Sequence, residues 1–431
     1  MSYSNRIKVH ELEPIYDSTS NRTEFRFQPD KIYSTNVLLA NLGIDQATGS
    51  EYNRLVGSAG MIENIQLMDG NTVLQMTRST AHWVAWKMLR KSNADLTCVQ
   101  PLVSGNESGV KFSGADRAIS GIEITGKQIN RAGAPAGDVQ QTKTSKTHIP
   151  CNMMLPILNA MKYIDTSVFR NLRLVVEYEM SGIIKNNQNE AQGTKRPLLI
   201  VEEVIDDSQV ASMKGKQGSF EFDNIETDRH FVPSITGITD NSSASNQSKS
   251  FHLNGFNNKK VGRVLMVKTT TLGSNTQTGN TDYQNGIYDS MGLFKETTQL
   301  RVNGINVFAK GGITKDNQRL ARCVDAWGSG AIPPFSQGLA YRAPDAKERK
   351  VLFNGDDGAN TNFGYISHFG ADLGGTLVND WHVEFGRTGV FPTGGSGVTV
   401  SKYNQEYKLQ FFVLTKKAIV MSGSSYNVTY L

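Results

Sequence analysis

Two short hairpin motifs, one in each half of the chain, constrain its fold more than any other feature. The first runs from Ile65 to Leu74 around Asp69-Gly70, and the second from Gln299 to Phe308 around Asn303-Gly304. Asp-Gly and Asn-Gly supply the positive φ angles that a tight I′-type turn needs, and the apolar residues beside them give each arm a buried face. The two turns lie 234 positions apart (69 to 303), and the stretches that follow, Ser79 to Ser92 and Ile313 to Ala326, keep that spacing and read as helices. In the first of these Ala81, Val84, Ala85 and Met88 fall at i, i+3, i+4 and i+7, with Ser79 or Thr80 placed to cap the free amides. Two elements in one order at one offset predict two copies of one β-domain.

Length agrees with duplication. A chain of 431 residues exceeds what one hydrophobic core usually serves, so two domains of roughly 200 residues are expected. The 41 glycines, with many Asn, Ser and Thr, mark a turn-rich chain. The expected class is therefore all-β, as two tandem eight-stranded sandwiches with short helices and long inserted loops. Its 45 basic residues are scattered among 40 acids for a net charge of +5, without a polybasic arm, so sequence-specific nucleic-acid binding is not signalled. Cys98, Cys151 and Cys323 are odd in number, far apart and without CxxC or Cys/His spacing, which predicts reduced, buried thiols rather than disulfides or a zinc site. Residues 1–8 lack an apolar signal core and no run approaches the ~18 apolar residues of a membrane span, so synthesis in the cytosol is expected. The sequons at Asn21, Asn106, Asn241, Asn246 and Asn427 then count as chance matches.

Along the chain, Phe25 and Phe27 alternate with Glu24, Arg26 and Gln28 as a half-buried strand, and Tyr33 to Ile44 reads as another. Ser104 to Ser145 is rich in Gly, Ser, Asn, Gln and Ala and reads as one long excursion. Met153, Met154, Ile157, Leu158 and Met161 fit a short helix containing Pro156, which feeds the alternating strand Leu172 to Met180. After a polar loop, Lys185 to Arg196, the apolar run Leu198-Leu199-Ile200-Val201 closes the first domain, and Asp206-Asp207-Ser208 reads as the linker. In the second half Trp381 to Phe385 takes the place of Leu174 to Tyr178, and Tyr407 to Leu414 that of Leu198 to Val201.

The hairpin Met61 to Met76, the segment His148 to Leu158 leading to Phe169 to Tyr178, and the hairpin and closing strands of the second half form an ordered set that covers most of the chain. That set resembles the double jelly-roll major capsid proteins of the lineage that includes adenovirus hexon, virophages and polinton-like viruses. The resemblance implies two jelly rolls per subunit and a homotrimeric capsomer with a pseudo-hexameric outline that tiles an icosahedral DNA-virus shell. It also implies a virion location, neighbouring capsomers as partners, and penton and minor capsid proteins as further ones. An internal membrane or the packaged genome would face the inner surface. Long loops, Ser104 to Ser145 and Asp325 to Thr361 among them, would project outward or clasp neighbours. The divisions expected are an N-terminal arm 1–20, a first jelly roll 21–207 and a second 208–431.

A β-sandwich also hosts enzymes and lectins. His382 and Glu384 share a strand face as a possible metal or acid/base pair, with no third ligand in view. The loop Asn354 to Asn360 around Asp356 offers hard oxygen ligands without the spacing of a calcium loop. Glu202-Glu203 and Asp206-Asp207 are adjacent in sequence and point apart, a poor arrangement for glycoside cleavage. Gly394-Gly395-Ser396-Gly397 fits neither a nucleophile elbow nor a P-loop. Trp83, Trp86, Trp327 and Trp381 read as packing residues rather than a binding shelf. No catalytic, cofactor or metal residue is therefore expected; a carbohydrate-binding or adhesin-like sandwich, and a glycan-acting enzyme, are the alternatives. Ile65, Leu67, Val73, Leu172, Leu174, Val176 and Tyr178 are expected in the first core, and Leu300, Val302, Val307, Leu409, Phe411 and Val413 in the second. The arm, with Ile7, Val9, Leu12, Ile15 and Tyr16, is expected to dock on a neighbouring subunit or the inner capsid surface.

Overall fold

The computed structural model describes residues 6–18, 22–40, 62–80, 148–178, 197–232, 245–270, 294–309, 311–314, 316–327, 369–389, 407–422 and 425–431, with Leu42, Ala59, Trp83, Val84 and Lys87. The chain divides into two compact units, residues 1–226 with 416–431 and residues 227–415.

The first unit carries strands β1 (Ile7–Leu12), β2 (Tyr16–Ser18), β3 (Arg22–Arg26), β4 (Ile32–Tyr33), β5 (Leu38–Ala40), β6 (Ile62–Asp69), β7 (Thr72–Thr77) and β8 (His148–Pro150). Helix α1 (Ile157–Ala160), β9 (Ile164–Asp165), β10 (Leu172–Tyr178), β11 (Leu198–Val204) and helix α2 (Asp207–Met213) follow. One sheet runs β8-β5-β11-β4-β9 with β1 also on β11, and the other runs β2-β3-β10-β6-β7. Alternation explains why these segments pair as they do. Phe25, Leu174 and Leu67 stand in one row across β3, β10 and β6, and all are at most 1% exposed. Thr23, Val176 and Ile65 form the next row, where the Thr23 hydroxyl shares a 2.6 Å hydrogen bond with the Tyr178 phenol. In the facing sheet Leu199, Leu39 and Ile149 make an equally buried row across β11, β5 and β8. Each such side chain contributes about 1.5–3 kcal/mol by leaving water.

Next come β12 (Phe220–Val232), β13 (Ser245–His252), β14 (Lys259–Thr270), β15 (Phe294–Val302), β16 (Ile305–Asn306), helix α3 (Asp316–Trp327), β17 (Phe369–Val378), β18 (Trp381–Gly389), β19 (Tyr407–Ser422) and β20 (Ser425–Tyr430). Residues 220–226 of β12 and 416–422 of β19 are counted with the first unit. The sheets run β12-β19-β14-β17, with β20 on β19, and β13-β18-β15-β16. Leu300, Val383 and Phe251 form one row of the second core, and Ala371, Val264 and Val413 form another. The strand order of the first half repeats in the second: β1, β11, β5, β8 correspond to β12, β19, β14, β17, and β3, β10, β6, β7 to β13, β18, β15, β16. Eight strands divided between two interleaved four-stranded sheets are a jelly roll. The chain is all-β with two of them, as the duplicated hairpins predict; β2, β4 and β9 are additions to the first.

Several expectations change in detail. Residues 7–12 of the expected arm are not free, because β1 pairs with β11 from Ile7↔Val204 to Leu12↔Leu199 and stands where β12 stands in the second half. Its residues alternate apolar and polar on both faces, so no buried stripe marks it in the sequence. Only the second hairpin turn has positive φ at both central residues, Asn303 (+51°) and Gly304 (+80°). In the first, Asp69 pairs with Thr72, so Gly70 (+56°) and Asn71 are the central pair and Gly70 alone has positive φ, the pattern of a II′ turn. Val73 is exposed because the register slips between Leu67 and Met68, leaving Leu74 as an extra residue that turns inward in its place. The other core residues named above are buried, with Val307 partly so.

Tyr33 to Ile44 is not one strand. Residues 34–37 interrupt it between β4 and β5: the Ser34 amide still donates to the Glu202 carbonyl of β11, but the Ser34 hydroxyl accepts from the Asn36 amide at 3.0 Å and closes a local turn. Pro156 does not sit inside a helix but precedes α1, after a 3₁₀ turn at Cys151–Met153, where its fixed φ of −55° suits a helix start. The expected linker begins α2, which Asp206 caps by accepting from the Gln209 amide at 3.0 Å. The contact boundary accordingly falls at 226/227, not 207/208. Thr80, Trp83, Val84 and Lys87 are helical as expected after the first hairpin, and α3 follows the second, starting three residues later than expected because Ile313 bridges to Thr298. Ser104 to Ser145, Lys185 to Arg196, Asn354 to Asn360, Gly394 to Gly397, Cys98, Trp86 and residues 328–361 lie outside the described residues.

Candidate functional site

The acidic pairs part as their spacing predicts. Glu202 faces outward and accepts from Asn36 Nδ2 at 3.0 Å, while Glu203 is 6% exposed and holds Lys31 Nζ at 2.7 Å and His10 Nε2 at 2.5 Å. Burial draws the Glu203 carboxyl upward, but the hydrogen bonds from Lys31 and His10 and their charge outweigh it and hold it below its ordinary 4.5. The carboxylate thus ties β1 and the β3–β4 connection to β11. Tyr33 beside it is pushed up to about 12, by burial first and then by the Glu203 charge. Asp206 is held low by the Ser208 hydroxyl and the Gln209 amide that it caps. Cys151 is fully buried and its thiol is raised by burial to about 12, so it is not a nucleophile at neutral pH. Cys323 lies in α3.

The tryptophans pack. Trp83 is 2% exposed with Lys87 Nζ 4.9 Å from its ring centre; Trp327 is 5% exposed against Gly370, where a Cβ would meet its ring at 2.9 Å. Trp381 is fully buried, edge-on to Phe256 at 5.2 Å, and its Nε1 donates to the Leu253 carbonyl at 2.5 Å. None of these three offers an exposed shelf for a sugar.

His382 and Glu384 do share the outer face of β18, with His382 Nε2 3.6 Å from Glu384 Oε1. Arg301 Nη2 on β15 approaches the same carboxylate at 3.4 Å, so Glu384 serves an ion pair. The structure adds partners that spacing along one strand does not reveal. His252 on β13 is the register partner of His382, their ring centres are 5.3 Å apart, and Asp380 lies two residues before His382. One donor atom from each of His252, Asp380 and His382 falls within 4.8 Å of the other two. The signal for His252 was the strand register, which joins residues 130 positions apart and is not set by a motif.

No protein-family model matches the chain, and no curated protein does. Solved structures match along its length. PBCV-1 VP54, fitted into a cryo-EM reconstruction of the virophage Sputnik, superposes with a TM-score of 0.57 over 99% of this chain and 97% of that one, at 8% identity. The mavirus major capsid protein gives a TM-score of 0.52 over 100% and 90% of the chains at 10% identity. The Sputnik virophage structure gives 0.50 over 99% and 88% at 9%. The fold is the double jelly roll of viral major capsid proteins. In a double jelly roll the inner faces of the sheets are core, so functional chemistry is confined to the outer faces, rims, edges and loops. On those surfaces the large apolar side chains left in water include Val9 (60% exposed), Ile15 (59%) and Tyr16 (52%) in the first unit and Ile305 (71%) and Leu377 (50%) in the second.

Proposed function

We propose that this chain is a non-enzymatic major capsid protein whose working form is a homotrimeric, pseudo-hexameric capsomer of an icosahedral DNA-virus shell. The observation that carries this reading is the repetition, within one chain, of the same eight-strand order in two units that together match capsid subunits from end to end. Two similar rolls per subunit give three subunits six similar corners, the outline that a sixfold-tiled shell requires. Exposed Val9, Ile15, Ile305 and Leu377 suit the partly apolar contacts of an obligate oligomer. Partners would then be other copies of the chain within and between capsomers, with penton and minor proteins at the shell's special positions. The packaged genome or an internal membrane would lie on the inner side. Synthesis in the host cytoplasm and residence in the virion follow from the same reading.

The test is the mass of the purified full-length protein by sedimentation velocity, followed by electron microscopy. A trimer with a hexagonal projection is expected. A stable monomer at micromolar concentration would overturn the reading.

A further inference from the structure

Three metal-ligating side chains of the second unit are gathered at one sheet face. Trp381 is fully buried and points into the core, so the next residue of β18, His382, turns to the opposite, outer face, while Asp380 is exposed in the bend just before β18. Leu253 is also fully buried, which places its neighbour His252 on the same outer face, directly across from His382. The cross-strand pair His252 and His382, with the bend residue Asp380 two positions before His382, makes a three-point arrangement.

The polar environment is incomplete as it stands. His382 Nδ1 is buried and has no hydrogen-bond partner among the described residues, and its other nitrogen faces Glu384 at 3.6 Å, beyond hydrogen-bond reach. Two imidazoles tilted at 40° with centres 5.3 Å apart gain little from each other when neutral and repel when charged. Arg301, the register partner of His382 on β15, is occupied by Glu384, and none of the ion pairs of the described residues includes Asp380.

We propose that His252, Asp380 and His382 form a binding site for one divalent transition-metal ion of the zinc class, with the fourth position open to water. Two nitrogens and one carboxylate oxygen are a zinc-type donor set, whereas magnesium and calcium favour oxygen ligands throughout. Bonds of about 2.0–2.1 Å put tetrahedral donors roughly 3.4 Å apart. The donors here converge to within 4.8 Å, so closure takes side-chain movement of about 1 Å, which the exposed His252 and Asp380 are free to make. The ion would clamp β13, the edge strand of its sheet, to β18, and so stabilise the folded state by RT ln(1 + c/Kd), where c is the free Zn²⁺ concentration.

The experiment is isothermal titration calorimetry of the chelator-treated full-length protein with Zn²⁺ alone, with Mg²⁺ as the control ion, and a parallel thermal melt. Expected are one Zn²⁺ per chain, a melting midpoint that rises with Zn²⁺, and no response to Mg²⁺. His252→Ala should weaken binding by at least about tenfold, the lower end of what even outer-shell changes cause, and abolish the thermal shift. His382→Ala should do the same; because His382 is half-buried, the exposed His252→Ala variant carries the test if His382→Ala fails to fold. Absence of stoichiometric binding, or equal affinity in folded His252→Ala, would overturn the site.

Discussion

Tyr426 shows how one side chain binds the C-terminal strand into the first unit. Its hydroxyl donates to Asp69 Oδ2 at 2.8 Å, and its ring meets Phe169 edge-on at 4.9 Å, while the other Asp69 oxygen accepts the Asn171 amide at 2.7 Å. Burial first, then the Asp69 carboxylate, drives the phenol well above its ordinary value, so it is a donor at neutral pH. Tyr426→Phe keeps the ring contact and leaves Asp69 partly satisfied. The expected loss is about 1 kcal/mol, read as a fall of about 2–4 °C in melting midpoint. Glu203 carries the pH dependence. Its folded pKa is depressed, so its contribution is fully present above the ordinary carboxyl value of 4.5 and fades as pH falls through the lower folded value. Glu203→Gln should therefore destabilise the protein at pH 7 and flatten the acid limb of its stability profile, measured by urea melts between pH 7 and 3; an unchanged limb would assign that limb to other carboxylates. At this scale the sequence made the buried rows legible, because alternation names Phe25, Leu67, Leu174 and Val383-type positions directly. It hid Glu203's partners and His252, since both depend on registers set far away along the chain.

Among the elements, the β15–β16 hairpin depends on Asn303 in two ways. The residue holds φ of +51°, and its side chain donates to the Leu377 carbonyl at 2.9 Å and accepts from the Asn379 amide at 2.8 Å. Asn303→Gly loses only the side-chain bonds, whereas Asn303→Ala also places a Cβ in the left-handed region at about 1–2 kcal/mol. Alanine should thus be the worse variant by roughly that amount in chemical denaturation; equal effects would show that the side-chain bonds, not the backbone, govern the turn. Strand β1 makes the second prediction. Removing residues 1–15 strips β11 of six register partners and Glu203 of His10, so the truncated chain should melt about 5–10 °C lower even before assembly is assayed. The hairpins, β10 and β11 were readable from turn residues and alternation. Strand β1 was not, because Lys8, His10 and Glu11 interrupt its apolar pattern, and β17 was not, because Gly370, Gly374 and Gly375 deplete it of side chains.

For the molecule as a whole, the duplicated strand order predicts a trimer by sedimentation, and the same order sets the sequence in which the chain is able to fold. In both rolls the strand made last lies between strands made early: β11 sits between β1 and β5, and β19 between β12 and β14. Ile7 waits for Val204, at the far end of its roll, before its ladder closes. At about 5–20 residues per second on the ribosome, that interval is roughly 10–40 s during which the first strands carry open backbone edges and uncovered apolar faces. Distant pairings of this kind fold slowly even in free solution. A nascent subunit therefore passes through a stage, once for each roll, when it is most exposed to capture by other nascent copies or by chaperones. Yield of soluble subunit should then depend more steeply on translation rate and temperature than its final stability would suggest.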